Sequence, residues 1–302
     1  MSAAPPRALA DSRIGLALLA GLTFFWGINW PIMKIALTEI PVFGFRAMTV
    51  IGGASGLLLM ARLTGQRLAL SRAELKPLII VSIVNVTGWQ ILSAFGLVHM
   101  EAGRASIVAY TMPVWTALLA VPFLGERLTF RVIAALILGM GGVACLLIPV
   151  REGLATAPLG LLFMALAGFV WAAGTISLKR VRWSLSILPL AGWQLLIGGL
   201  PVLACAFLLE RDFEWSTIST SAWVAAVYAM LIPTVFCQWA WYRVVSIYPA
   251  SISTLGTLLT PVAGVISSTL MLGEPIGWDV IAALVLVCLA IALITIVPAR
   301  RA

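Results

Sequence analysis

The segment 102–127 reads AGRASIVAYTMPVWTALLAVPFLGER, and the segment 250–275 reads ASISTLGTLLTPVAGVISSTLMLGEP. Each segment is an apolar run with a proline near its centre and a Gly-Glu pair near its end. The two prolines, Pro113 and Pro261, lie 148 positions apart, and the two Gly-Glu pairs have the same separation. Several matches at one separation predict that the chain contains an internal structural repeat.

The repeat continues outward from these two segments. Gln90 and Gln238 are also 148 positions apart, whereas Trp26 and Trp171 are 145 positions apart. A small insertion in the second half of the chain explains the difference. Because the matches cover nearly the whole sequence, we predict two repeats. Their predicted boundaries are 1–149 and 150–302.

The composition is that of a membrane protein. Hydrophobic residues make up 62% of the 302 residues, charged residues make up 10%, and the mean hydropathy is +1.10. A soluble domain carries about 25% charged residues. About twenty apolar residues form a membrane-spanning helix, so we predict an all-α integral membrane protein with ten transmembrane helices. The predicted spans are 14–36, 41–61, 77–98, 102–123, 130–149, 158–178, 186–209, 221–242, 250–272 and 277–298.

Each predicted repeat holds five spans, so the second repeat must enter the membrane from the side opposite to the first. Lysine and arginine concentrate in the cytoplasmic loops of membrane proteins. Fourteen of the 19 fall on the side of the N-terminus, four fall on the other side, and Arg46 lies within a span. We therefore predict two inverted five-helix repeats with both termini in the cytoplasm. Inverted repeats are typical of alternating-access carriers, with the site between the halves.

Residues suited to catalysis or metal binding are scarce. The chain has one histidine and eleven acids, and it contains neither a GxSxG nor an HExxH motif. Its four cysteines follow no CxxC spacing, so we interpret them as apolar residues within the spans. We predict that the protein is not an enzyme, and we expect no metal and no cofactor. The basic residues are explained by the membrane bias, so nucleic acid is not expected as a partner.

Ion coupling is not indicated either. Carriers driven by protons or sodium usually place a carboxylate within the membrane, and no Asp or Glu lies in the middle of a predicted span. We therefore expect facilitated diffusion. His99 lies beside Glu101 at the outer end of the third span, and we interpret it as an interface residue.

The repeated motifs resemble a known family. The opening Phe25-Trp26-Gly27, its partner Val170-Trp171-Ala172, and the two proline-centred spans that end in Gly-Glu are similar to the EamA branch of the drug/metabolite transporter superfamily. Within that branch, the chain looks most like amino-acid exporters of the YddG type. The resemblance implies export of small metabolites, above all amino acids including aromatic ones, across a bacterial inner membrane.

Alternatives stay open at this point. An exporter of amphipathic drugs or of other metabolites would share the same architecture. A membrane enzyme would need a catalytic constellation, and a receptor would not need two kinked, inverted halves. The expected partners are a small-molecule substrate and the lipid bilayer. The oligomeric state is open, and a monomer is one of the options.

Polar and aromatic residues at mid-depth are the candidates for a substrate site. Trp26 and Trp171 are predicted to form a wall against an apolar or aromatic side chain, and helix packing is the alternative. Gln90 and Gln238 are predicted to bond the amino and carboxylate groups of a zwitterion, and hydrogen bonding between helices is the alternative. Further candidates are Asn29, Asn85, Tyr110 and Tyr228.

Helix interruptions and helix ends carry two more predictions. Pro113 and Pro261 are predicted hinges, because each removes a backbone hydrogen bond from the middle of a helix. Packed, immobile kinks are the alternative. Glu126 and Glu274 precede helix starts, where a carboxylate stabilises the positive end of the helix dipole.

Several long side chains are assigned to the membrane interfaces. Trp30 and Trp241 lie toward span ends and are assigned to the aromatic belts. Arg46 lies about two turns into the second span, and we expect it to extend outward to the interface. A carboxylate-binding role for Arg46 is the alternative. Because Lys34, Arg46 and Lys179 are the only basic residues available to a cavity, phosphorylated solutes are disfavoured.

Overall fold

A computed structural model describes residues 6–99, 108–147, 158–273 and 277–295. Within these ranges the chain is helical, with short turns and no strand, so the all-helical prediction is confirmed. The helices are α1 Pro6–Leu37, α2 Val42–Leu63, α3 Arg72–Ser82, α4 Trp89–His99, α5 Met112–Leu124, α6 Phe130–Leu147, α7 Pro158–Arg180, α8 Ile187–Leu209, α9 Thr220–Ala229, α10 Cys237–Ile247, α11 Ala250–Gly256, α12 Leu259–Leu272 and α13 Trp278–Thr295.

Seven helical stretches in the described ranges are long and apolar enough to cross a membrane. Two shorter apolar helices, Met112–Leu124 and Phe130–Gly142, follow the same pattern. Three predicted spans, 102–123, 130–149 and 277–298, lie partly outside the described ranges. The count of ten membrane crossings therefore stays a prediction. The seven long stretches are Arg13–Leu37, Val42–Leu63, Arg72–Gly96, Leu159–Arg180, Ile187–Leu209, Thr220–Ile247 and Ile252–Met271.

The third and eighth predicted spans each contain a π-helical segment. Ile83–Gly88 joins α3 to α4, and Met230–Phe236 joins α9 to α10. The two segments correspond at the separation of 148 that relates the repeats. Pro233 accounts for part of the second distortion, because proline lacks the N–H that a regular helix requires. Isolated π segments within α-helices are frequent at functional sites.

Glycines allow both π segments to pack closely against neighbouring helices. A Cβ atom added at Gly198 of α8 would lie 2.6 Å from the Ser82 carbonyl oxygen and 2.5 Å from the Val86 Cβ. In the other repeat, a Cβ at Gly53 of α2 would lie 2.5 Å from the Thr234 side chain. Only a residue without a side chain fits at these crossings, which fixes the π segments beside the centre of the molecule.

Each proline-centred span contains a turn shortly before its proline. A turn at residues 110–111 precedes α5, and Pro113 occupies the first turn of that helix, where its missing N–H is not needed. In the other repeat, a turn at residues 257–258 separates α11 from α12, which contains Pro261. The sequence predicted a kink in a continuous helix. Between α11 and α12 the structure shows that one helix ends and the next begins, whereas residues 102–107 of the span that contains Pro113 lie outside the described ranges. Whether the breaks move as hinges stays a prediction.

Two acidic residues join helices on one face of the molecule, which we call the Glu39 face. The Ser219 backbone N–H and hydroxyl donate to the Glu39 carboxylate at 2.6 and 2.7 Å. The hydroxyl and N–H bonds of Ser219 hold the pKa of the Glu39 carboxyl below its ordinary value. Glu210 accepts from the N–H groups of Phe43 and Gly44 at 2.9 and 2.6 Å. The ends of α1 and α8 are thereby fixed to the starts of α9 and α2.

Two further acidic residues join helices on the opposite face, which we call the Glu126 face. The Glu74 carboxylate accepts from the Ser184 backbone N–H and, at 2.7 Å, from the Ser184 hydroxyl. The Glu126 carboxylate accepts from the Ala250 N–H at 2.8 Å. Glu126 therefore caps α11 in the other repeat, as expected for a carboxylate that stabilises a helix start. Glu274 lies outside the described residues.

Candidate functional site

A cavity of about 150 Å³ lies between the two repeats. A volume of this size accommodates a small organic molecule. Helices of both repeats and both π segments contribute to its wall. The lining residues are Trp26, Asn29, Trp30, Met33, Phe45, Arg46, Thr49, Asn85, Val86, Trp89, Gln90, Tyr110, Met112, Trp171, Leu195, Ala229, Pro233, Thr234, Gln238 and Thr257.

The cavity lies toward the Glu39 face. Its α1 residues come from the half of that helix that ends near Glu39, and its α2 residues come from the first two turns. On the Glu126 face the helices are tied together. The Lys179 ammonium of α7 donates to the Val245 carbonyl at 3.3 Å and to the Tyr248 carbonyl at the end of α10. These bonds join the end of α7 to the end of α10 on the Glu126 face.

Four tryptophans form a cluster at the inner end of the cavity. The Trp171 ring centroid lies 6.0 Å from that of Trp26, 5.2 Å from that of Trp89 and 5.9 Å from that of Trp241. The sequence predicted that Trp26 and Trp171 meet, and the structure brings them together. The Trp26 indole N–H donates to the Pro233 carbonyl at 3.3 Å. The Trp171 indole nitrogen is buried and has no partner among the described residues.

Two tryptophans were assigned to the wrong environment. Trp241 is 2% exposed and packs in the cluster, although its position toward a span end predicted an interface. Trp30 lines the cavity instead of belonging to an aromatic belt. Position along a span determines depth only when the helix is regular, and the π segment before α10 shifts the register of Trp241. Sequence position therefore could not assign these two side chains.

The predicted amides occupy the wall beside the cluster. The Asn85 amide donates to the Trp171 carbonyl at 3.3 Å, which places it against α7. Gly174 makes this possible, since an added Cβ would lie 2.1 Å from the Asn85 amide nitrogen. Gln238 is buried in the wall, whereas the Asn29 side-chain oxygen is buried without a hydrogen-bond partner among the described residues. The wall therefore contains polar atoms that are already hydrogen-bonded and polar atoms that have no partner among the described residues.

Arg46 does not extend to the interface, which corrects the expectation from its position. The side chain is 8% exposed and forms part of the cavity wall. Its Nη1 donates to the Gln90 side-chain oxygen at 2.9 Å, and its Nε has no partner among the described residues. The alternative carboxylate-binding role thereby gains its first structural support. Hydropathy alone could not reveal the inward orientation of Arg46, because composition does not show which face of a helix points toward the cavity.

Seven of the eight predicted substrate-binding residues lie in the same wall. They are Trp26, Asn29, Asn85, Gln90, Tyr110, Trp171 and Gln238. The eighth, Tyr228, is not a lining residue, and its buried hydroxyl has no partner among the described residues. The hinge prolines are not lining residues, but Tyr110 and Thr257 of the two helix breaks are. Substrate binding by these residues stays a prediction.

Other potential chemistry is limited in the part of the chain that the structure describes. No group of three or more His, Cys, Asp or Glu residues that could hold a metal occurs there. The His99 ring lies 2.8 Å from the Phe95 carbonyl through Nδ1, and its sequence neighbour Glu101 lies outside the described residues. All four cysteines are free thiols. The cavity between the repeats is accordingly the place to look for function.

The sequence matches the EamA-like transporter family over residues 13–148 and again over residues 158–296. The chain belongs to this family. The two matches show that this EamA-like transporter is built from two copies of the family's unit, and they confirm the resemblance that the repeated motifs indicated.

Relatives cover nearly the whole transporter. An uncharacterized transporter, YoaV, of Bacillus subtilis is 25% identical and aligns with 94% of this chain and 97% of its own length. A probable amino-acid metabolite efflux pump of Escherichia coli is 27% identical, with 86% of each chain covered. A probable terminal-alkyne amino-acid exporter of Streptantibioticus cattleyicolor is 27% identical, with 82% of each chain covered.

The fold is also seen in solved structures. One protein crystal structure superposes on this transporter with a TM-score of 0.76 over 92% of this chain and 96% of the other, at 20% sequence identity. At this identity the similarity establishes the fold.

Proposed function

We propose that this protein is an alternating-access carrier that exports amino acids, including aromatic ones, across a bacterial inner membrane. The observation that supports it most strongly is the cavity wall, which both repeats build and which combines a tryptophan cluster with unpaired polar atoms. Carriers of inverted-repeat design bind their solute at such a position. Ten membrane crossings with both termini in the cytoplasm belong to the same proposal.

The chemistry of the wall favours a small solute with one apolar and one polar end. The tryptophan rings provide flat apolar surface, and aromatic pairs contribute about 0.5–1.5 kcal/mol beyond simple burial. Two relatives carry amino-acid export in their names, which agrees with a solute of this kind.

The side from which a solute reaches the cavity follows from where the cavity lies relative to the predicted cytoplasmic loops. The predicted cytoplasmic loops 62–76, 125–131 and 179–186 lie on the Glu126 face, where Glu126 and Lys179 tie helices together. The cavity lies toward the Glu39 face, so the proposed state is closed to the cytoplasm. Export then requires the Glu126 face to open and the Glu39 face to close. The bilayer is the expected surrounding of the many exposed apolar side chains, such as Leu270 and Phe207.

An exporter of amphipathic drugs is the competing function. Many such solutes are organic cations, which need a carboxylate in the cavity or at least the absence of a positive charge there. The lining residues that the structure describes include no acid and one arginine, and a cation beside a buried guanidinium is disfavoured. The wall therefore favours amino acids over cationic drugs.

Flux in liposomes tests the proposal. Purified protein is reconstituted, and counterflow of labelled phenylalanine, alanine and threonine is measured against empty liposomes. We expect counterflow of phenylalanine, and no accumulation against the solute gradient when a pH or sodium gradient is imposed, because the predicted spans hold no central carboxylate. Absence of counterflow for every amino acid would contradict the proposed function. Ion-driven accumulation would contradict facilitated diffusion alone.

A further inference from the structure

Of the described residues, 20 line the cavity, and Arg46 is the only charged one among them. Its side chain is 8% exposed, and its Nε is buried without a hydrogen-bond partner among the described residues. An isolated buried charge is strongly unfavourable unless a counter-charge or hydrogen bonds compensate it. None of the described lining residues provides that counter-charge, so the position suits a ligand that brings a negative charge with it.

The repeat shows that the fold itself does not require an arginine at this position. Gly52 and Gly198 correspond at a separation of 146, and at the same separation Arg46 corresponds to Gly192. Gly192 packs against Leu58, and an added Cβ would lie 2.7 Å from the Leu58 side chain. One repeat therefore builds this helix with glycine, while the other places a cation in the cavity. Arg46 therefore differs from its counterpart in the other repeat at a position that lines the cavity. Such a difference indicates a role in binding the solute.

Neighbouring atoms complete a set of complementary groups. The Gln90 side-chain oxygen accepts from Arg46 Nη1 at 2.9 Å and so orients the guanidinium. Arg46 Nε and the Trp171 indole nitrogen are buried donors, the Asn29 side-chain oxygen is a buried acceptor, and none of the three has a hydrogen-bond partner within the described ranges. All three atoms belong to lining residues. Free donors suit the oxygens of a carboxylate, and a free acceptor suits the N–H groups of an ammonium.

We infer that Arg46 binds the carboxylate of the transported solute and that Asn29 accepts a hydrogen bond from its ammonium group. The inference rests on the proposed function and narrows it to solutes that carry both groups. Amines, amides and esters lack the negative charge that Arg46 requires. Carboxylates without an amino group lack the partner of Asn29.

Competition at the wild-type protein tests the inference first. Counterflow of labelled phenylalanine is inhibited with unlabelled phenylalanine, phenylalaninamide, phenethylamine and 3-phenylpropanoate. We expect phenylalaninamide and phenethylamine to compete at least about tenfold more weakly than phenylalanine, as expected for loss of a hydrogen bond to a charged group. We expect 3-phenylpropanoate to be intermediate. An amide that competes as well as phenylalanine overturns the role of Arg46.

Substitutions then assign the selectivity to residues. Arg46→Gln should reduce phenylalanine counterflow about tenfold or more, and Arg46→Lys should retain part of it because the charge remains. Arg131→Gln, which removes an exposed arginine, is the matched control and should leave flux unchanged. Asn29→Leu should make phenylalanine and 3-phenylpropanoate equal competitors. Full phenylalanine flux in Arg46→Gln overturns the inference.

Thermal unfolding separates this inference from a structural role and from failure of the proposed function. Because Arg46→Gln removes a buried, uncompensated charge, we expect the variant to melt at the same or a higher temperature than wild type. We also expect 3-phenylpropanoate to raise the melting temperature of wild type and not of Arg46→Gln, a result that does not depend on transport. A lower melting temperature for Arg46→Gln would show that Arg46 is structural, and equal stabilisation of both proteins by 3-phenylpropanoate would show that Arg46 does not bind the carboxylate. Either result overturns the inference. If counterflow is absent but 3-phenylpropanoate still stabilises only the wild type, the result contradicts the proposed export function and not the role of Arg46.

Discussion

Trp171 contacts three other tryptophan rings and also lines the cavity, so we expect an aromatic solute to meet the most aromatic surface at this residue. Trp171→Ala should weaken transport of phenylalanine and tryptophan several-fold, since aromatic pairs contribute about 0.5–1.5 kcal/mol. It should weaken transport of alanine and threonine less. Counterflow of the four amino acids in liposomes, compared at equal protein levels, measures the difference.

Trp115 provides the matched control for this prediction. It packs against Phe169 at a centroid distance of 5.6 Å and is not a lining residue. Trp115→Ala should therefore reduce stability without changing the ratio of aromatic to small solutes. If Trp171→Ala slowed all four amino acids equally, Trp171 would be a packing residue rather than a wall for aromatic side chains.

Individual residues differ in how much the sequence could predict of them. The pairing of Trp26 with Trp171 follows from their equal place in the two repeats, and the structure brings the rings within 6.0 Å. The inward position of Arg46 could not be predicted, because charge and hydropathy do not show which helix face meets the cavity. The corresponding residue in the second repeat is Gly192, which is not basic. This difference between the repeats was the available signal that Arg46 has a special role.

At the scale of elements, the π segments are the features that the sequence did not predict. Pro233 explains one of them, but Ile83–Gly88 contains no proline. Its distortion is stabilised from outside the helix, since the Thr87 hydroxyl donates to the Gly198 carbonyl at 2.6 Å. A contact between residues 111 positions apart is invisible to local sequence patterns. The glycine pairs of α2 and α8 were visible in the repeat, but their role depends on what packs against them.

Gly198 should tolerate no larger side chain, because an added Cβ would lie 2.6 Å from the Ser82 carbonyl oxygen. Gly198→Val should destabilise the protein by about 1–3 kcal/mol through overpacking. It should also reduce transport of every solute, since the π segment carries Asn85. Gly21→Ala is the control, because its nearest contact would be 4.0 Å from Phe236. Equal melting temperatures for the two variants would contradict the proposed close packing.

The acid–serine contacts on the two faces are related by the repeat, with the acid and the serine exchanged. Glu39 and Ser184 follow the corresponding helices α1 and α7, and Glu74 and Ser219 lie at the starts of the corresponding helices α3 and α9. Glu39 accepts from Ser219 on one face, and Glu74 accepts from Ser184 on the other. The two repeats thus join the same pair of helix ends, with the acid and the serine exchanged. Sequence reasoning placed these acids at helix ends but could not identify their partners.

The Glu39 contact gives a pH-dependent prediction. The Ser219 bonds lower the pKa of the folded protein's Glu39 carboxyl, so its contribution to stability is present above the unfolded-state pKa of about 4.3. It is lost as the pH falls through the folded-state pKa. Glu39→Gln should therefore melt below wild type at pH 7, and the gap should shrink below about pH 4. Asp212→Asn, at a highly exposed acid, should show no gap at any pH. A Glu39→Gln gap that stays constant with pH would contradict this account.

For the whole molecule, the repeat in the sequence was sufficient to predict an all-helical carrier with its site between two halves. The family match over 13–148 and 158–296 supports the same two-unit plan. The solute could not be derived in this way, because the plan is shared by transporters whose names give no substrate. Specificity depends on a few inward side chains, and their orientation is a property of the folded chain.

The inverted orientation of the repeats is the central claim, and labelling of matched cysteines tests it most directly. Phe130 and Trp278 correspond at a separation of 148, begin α6 and α13, and are 84% and 85% exposed. Each is replaced by cysteine in a variant that lacks Cys145, Cys205, Cys237 and Cys288, and intact cells are treated with a membrane-impermeant maleimide. We predict that Trp278→Cys is labelled in intact cells and that Phe130→Cys is labelled only after the membrane is opened. Labelling of both cysteines from the same side would contradict the inverted repeat and, with it, the proposed mechanism of transport.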